Sequence, residues 1–237
     1  MLKVIAVIAL AAPLVQSLLM GVIGYPLAKR RPGGMETFRQ SGFTWWIIAI
    51  AVICAIAAGV QPALFAFMAP SAHEASPVRF FAIFAIGTAI AVAVDVVTER
   101  LAGLSMSESA RRHERERYEG ALPAWVHGQV AEMGMLSVVA VLEEGVYRAV
   151  ALGALLGAWG FEKPLASGIV CVAFGLAHWY YGVRQVLIKM IVASVFVWMA
   201  LSAGWVVAAL GHALMNVILT YISAHKTVPV ASGTSRA

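Results

Sequence analysis

The sequence predicts an all-α membrane protein: one domain built as a bundle of about seven transmembrane helices. Three observations predict it. Of 237 residues, 61% are hydrophobic and 12% charged, against about 25% charged in an ordinary soluble domain. Mean hydropathy is +0.85. The apolar residues also fall in long runs, close to the roughly 20 residues that a helix needs to cross the hydrocarbon core. They lack the strict alternation of barrel strands, and lipid leaves helices or closed barrels as the ways to satisfy a spanning backbone.

Taken in order, the apolar runs place spans at 4–27, 43–69, 78–97, 134–157, 164–182, 185–203 and 205–223. Pro62 is expected to kink or end the second, because its ring removes a backbone donor. Residues 98–133 form the one long polar segment, with Arg100, Arg111, Arg112, Arg115 and Arg117 among glutamates, a solvated stretch that ends in an interfacial helix near Trp125 and His127. The chain thus divides into spans one to three (1–97), the polar segment (98–133), spans four to seven (134–223) and a polar tail (224–237).

The net charge of +5 reads as orientation and gives no reason to expect nucleic acid. Lys29, Arg30, Arg31 and Arg39 follow span one, five arginines follow span three, Arg184 follows span five, and Lys226 and Arg236 lie in the tail. The opposite loops offer Lys3, Arg79 and Lys163, so the positive-inside rule puts the N-terminus outside and the C-terminus in the cytoplasm. The expected location is a bacterial inner membrane. Cys54 and Cys171 sit in apolar runs without C-x-x-C spacing, so neither a disulfide framework nor a thiolate metal site is indicated. The first run continues past any convincing cleavage site and reads as a retained span.

Within the spans the polar inventory is short: Asp95, Glu143, Glu144, Arg148, His178, Lys189, His212 and Asn216. An ionisable side chain at mid-bilayer costs about 2.5–3.5 kcal/mol, so Glu143, Glu144 and Arg148 within six residues of span four need partners or a task. Glu144 and Arg148 share a helix face and are expected to pair. Glu143 points about 100° away. It has no intrahelical cation, and such a carboxylate can act as a general base for water. Phe174 and His178 on span five, and His212 and Asn216 on span seven, are each four apart, so each helix presents a polar tip. A lone histidine on an apolar helix is ordinarily a packed residue. Three spans bearing such groups can instead close around one wet cavity. Gly153 and Gly157 form a small-xxx-small pair that would help helices approach.

Glu143-Glu144-x-x-x-Arg148, then Phe174-x-x-x-His178, then His212-x-x-x-Asn216, in that order on apolar spans, resemble the three motifs of the CAAX prenyl protease and bacteriocin-processing (Abi, type II CAAX endopeptidase) family. The resemblance runs from about Glu143 to Asn216. It implies an intramembrane endopeptidase in which Glu143 activates water, His178 positions it, and His212 with Asn216 stabilises the oxyanion. Glu144, Arg148 and Phe174 would support the site. It implies a peptide or protein substrate in or at the bilayer, without saying whether that substrate is prenylated. A cofactor-free reaction is expected. The alternative is zinc held by Glu143, His178 and His212, although no H-E-x-x-H motif is present. Two other function classes compete: a non-catalytic scaffold or bacteriocin-immunity protein, and a small transporter or proton relay using Asp95.

Overall fold

The structure is a computed structural model that describes residues 2–67, 76–105, 107 and 128–226. The described residues form helices and turns, and contain no strand. Helix α1 spans Leu2–Lys29 and includes a π-helical turn at Met20–Gly24. α2 is Gly34–Val60, α3 the short Ala63–Phe67 and α4 Pro77–Ser105. α5 begins as Gln129–Glu144, widens into a π-helix over Gly145–Leu152 and finishes at Gly153–Gly157. α6 is Lys163–Leu176, α7 Val183–Ala203 and α8 Trp205–Lys226.

α1, α4, α7 and α8 are long and apolar enough to cross a membrane, and α6 and the Thr44–Val60 part of α2 are shorter apolar helices. The fold is therefore the expected all-α membrane bundle. Its polarity is inverted relative to a soluble protein. Val7, Ile8, Val15, Leu18, Phe81 and Leu187 face outward, whereas Glu143, Glu144, Arg148 and His212 are buried. A soluble protein does not expose so continuous an apolar surface, but lipid solvates it without cost.

α8 packs most extensively against α5, and α7 lies against both α6 and α4. All eight residues of the π-helix are buried, and α1, α2, α3, α6 and α8 all touch it. Glycines allow the closest approaches. A Cβ on Gly175 would lie 2.7 Å from the Val186 carbonyl oxygen, and one on Gly211 would lie 2.6 Å from Met199 Cε and 3.0 Å from Thr88 Oγ1. Gly157 has no such neighbour within 4 Å, so the expected small-xxx-small contact is not made there.

Several boundaries differ from expectation. The second span ends at Val60 rather than at residue 69, because Gln61 leaves the helical region (φ −149, ψ 70) just before Pro62, and α3 restarts separately. The fifth ends at Leu176 rather than at 182: a 3-10 turn follows at Trp179–Tyr181, and Gly182 has φ 105, which favours glycine. Within the segment expected to be polar and non-spanning (98–133), α4 continues to Ser105 and α5 starts at Gln129. Trp125, His127 and four of its five arginines, Arg111, Arg112, Arg115 and Arg117, lie outside the described residues.

Candidate active site

Glu144 sits at the last α-helical position of α5, and Arg148 lies one turn on, within the π-helix. Arg148 Nε stands 3.0 Å from Glu144 Oε2, with both side chains fully buried. This is the intrahelical pair that the spacing predicts. The approach is ionic rather than a directed hydrogen bond, since neither atom meets hydrogen-bond geometry. Two further contacts hold the guanidinium. Arg148 Nη2 donates to the Ala193 carbonyl of α7 at 3.2 Å, and the Phe174 ring of α6 lies 4.7 Å from its Cζ. A buried ion pair is tolerated only when such additional bonds offset desolvation.

The second glutamate oxygen serves another helix. His212 Nδ1 of α8 lies 2.9 Å from Glu144 Oε1, and Phe196 of α7 stacks on the imidazole with centroids 4.7 Å apart and planes at 23°. Glu144 and Arg148 therefore join α5 to α7 and α8, with the α6 aromatic Phe174 closing the cluster. An ionised carboxylate only accepts, so His212 Nδ1 carries the proton, and in the neutral ring Nε2 presents a lone pair.

His178 lies beyond the end of α6, not on it. The helix releases its last carbonyls there, and His178 Nδ1–H donates to the Phe174 carbonyl at 2.8 Å. A carbonyl only accepts, so His178 Nε2 is also an acceptor in the neutral ring. The Phe174 ring lies 4.8 Å from the His178 ring and 6.1 Å from the His212 ring, so it packs beside both imidazoles.

Glu143 is buried, 6% exposed. Its carboxylate has no hydrogen-bond partner among the described residues. His212, Glu144, Arg148 and Lys189 are within electrostatic range. Asn216, one turn beyond His212, donates through Nδ2 to the Leu136 carbonyl of α5 at 3.1 Å. One of its two amide protons is thus committed to helix packing. Sequence reasoning missed Ala193, whose contribution is a backbone carbonyl, and Phe196, one aromatic among many apolar residues. Asp95 and Lys189 were visible as polar residues, but not as a pair: Lys189 Nζ lies 3.1 Å from Asp95 Oδ1, joining α7 to α4.

The two histidines resemble metal-bound imidazoles in one respect, since each ties Nδ1 to an oxygen acceptor. Among the described residues, however, no three His, Cys, Asp or Glu side chains converge as a cation site. The arrangement does not fit a three-ligand zinc, and no step below runs through a metal. A separate groove of about 660 Å³ lies on the surface between α1 and α6, lined by Val7, Leu10, Leu14, Leu165, Ile169 and Val172 among other apolar residues.

Fold and site together define a polytopic membrane bundle that buries a glutamate–arginine–histidine cluster beside a second acid. Residues 130–218 match the family model described as type II CAAX prenyl endopeptidase Rce1-like, a match consistent with the CAAX prenyl protease and bacteriocin-processing family. That family is one of membrane-embedded proteases. The match takes in α5 to most of α8 and every motif residue, and leaves α1–α4 outside it. Neither a curated protein nor a solved structure matches the chain.

Proposed function

We propose that the protein is a glutamate-dependent intramembrane endopeptidase of a bacterial inner membrane, N-terminus out and C-terminus cytoplasmic. Its substrate is a membrane-associated peptide, either a lipidated C-terminus or a leader. The observation that carries the reading is the division of labour between adjacent glutamates. Glu144 has both oxygens engaged by Arg148 and His212, whereas Glu143 beside it is buried and unbonded.

In this reading Glu143 takes a proton from water while the water oxygen bonds to the scissile carbonyl carbon. The His178 Nε2 lone pair accepts the other water hydrogen and fixes the attack direction. The carbonyl oxygen becomes an oxyanion, which accepts hydrogen bonds from Asn216 and from His212 Nε2–H. His212 can donate from Nε2 only as an imidazolium. As the imidazolium, His212 keeps Nδ1–H on Glu144 and turns Nε2–H to the oxyanion. The C–N bond then breaks, and Glu143 returns its proton to the leaving nitrogen.

The test uses the full chain in liposomes with a quenched fluorogenic farnesylated C-a-a-X peptide and, in parallel, an unprenylated leader-type peptide. Glu143→Gln should abolish cleavage without lowering the melting temperature. Wild-type turnover by that variant would overturn the base role. A non-catalytic scaffold is the second reading, favoured by the helix-joining bonds of Arg148, His212 and Asn216. It expects no cleavage by the wild type of either peptide and no phenotype from Glu143→Gln.

A further inference from the structure

The π-helix presents a second polar group beside the proposed base. Tyr147 is four residues after Glu143 and wholly buried, and its hydroxyl has no hydrogen-bond partner among the described residues. Its ring is held edge-on by Phe174, with centroids 5.1 Å apart and planes at 80°, the same ring that packs beside His178 and His212. Buried hydroxyls are almost always satisfied, and an orphan in a native protein calls for a role. Packing does not supply one. A phenylalanine would fill the same bed among Phe174 and the Arg148 guanidinium without burying an oxygen.

In the reading above the oxyanion has one neutral donor, the remaining Asn216 amide hydrogen, and Tyr147 can supply a second. His178 and His212 both spend Nδ1–H on protein oxygens, and Asn216 spends one amide hydrogen on Leu136. Resting on the peptidase reading above, we propose that Tyr147 is a further catalytic residue: its O–H donates a hydrogen bond to the substrate carbonyl oxygen as that atom becomes anionic. The phenol keeps its proton throughout and gains its partner when substrate occupies the site, so the orphan state belongs to the free enzyme. The π-helix contributes directly. Its extra residue per turn changes how far Tyr147 is rotated from Glu143, and such wide turns recur at functional sites.

The experiment compares wild type, Glu143→Gln, Tyr147→Phe and a 3-fluorotyrosine at position 147, as full chains in liposomes with the quenched farnesylated C-a-a-X peptide. Tyr147→Phe should lower kcat about 100-fold, the lower end of the range seen on removing one oxyanion donor. KM should stay unchanged and the melting temperature should hold or rise. Fluorination keeps the ring shape and sharpens the acidity of the O–H, so it should change kcat without changing stability. Wild-type kcat in Tyr147→Phe, or a rate that ignores fluorination, would overturn the assignment of Tyr147 alone. Wild-type cleavage by Glu143→Gln would overturn the peptidase mechanism, and Tyr147's role with it.

Discussion

Glu144 Oε1 accepts from His212 Nδ1 at 2.9 Å while Oε2 of the same carboxylate faces Arg148 Nε at 3.0 Å. One side chain thus fixes the orientation of an imidazole and the charge of a guanidinium carried by different helices. Its neighbour Glu143, with neither bond, is left for chemistry.

The two glutamates should therefore separate stability from activity. Glu144→Gln removes the charge opposite a fully buried Arg148, and breaking one side of a buried pair costs about 3–5 kcal/mol. It should unfold at lower temperature and lose activity together. Glu143→Gln should lose activity alone. Thermal unfolding in detergent, read beside peptide cleavage, checks both variants.

Asp95 and Lys189 predict a coupled pair without transport. Each is mostly buried, and their 3.1 Å contact ties α4 to α7. Asp95→Asn and Lys189→Met should each destabilise the bundle, and the double variant should recover part of the loss, with a coupling of about 0.5–3 kcal/mol. Proton flux into liposomes should not depend on Asp95, whose charge is matched by Lys189. Flux lost in Asp95→Asn would instead support the relay reading.

Gly175 predicts a packing defect that Gly157 does not. An added methyl at 175 meets the Val186 carbonyl at 2.7 Å, and this backbone cannot step aside as a flexible side chain can. Gly175→Ala should cost about 1–3 kcal/mol by overpacking. It should also disturb His178, three residues on, and lower turnover. Gly157→Ala, with nothing within 4 Å, should be neutral in both measurements.

Helix type was legible because each apolar run must satisfy its own backbone in lipid, and the Glu144–Arg148 pair was legible because four residues make one turn. His178 was not. Trp179, Tyr180 and Tyr181 continue the hydrophobic run, and the helix end is set instead by the tight contact at Gly175 and the positive φ of Gly182. The partition of the two glutamates was also hidden. A 100° step says that they point apart, but not that the second meets His212, since this depends on α5 packing against α8. Gly157 of the small-xxx-small pair meets no neighbour for the same reason: spacing along one helix does not say which face a neighbour covers.

The two imidazoles give the last prediction, on metal dependence. Both use Nδ1–H on an oxygen, which leaves Nε2 lone pairs and makes a two-histidine zinc site the natural chemical competitor. A catalytic zinc takes three protein ligands near 2.0–2.2 Å. The third would have to be Glu143, and among the described residues no such trio converges. Phe174 packs beside both rings, 4.8 Å from one and 6.1 Å from the other, and also covers Arg148. Treatment with 1,10-phenanthroline should leave peptide cleavage unchanged, and elemental analysis of the purified protein should find far less than one zinc per chain. The Phe174→Ala variant sharpens the comparison: it should lose activity through a loosened Arg148 and misplaced imidazoles, and added zinc should not restore it. Inhibition by chelator that zinc reverses would replace the glutamate mechanism with a metal one.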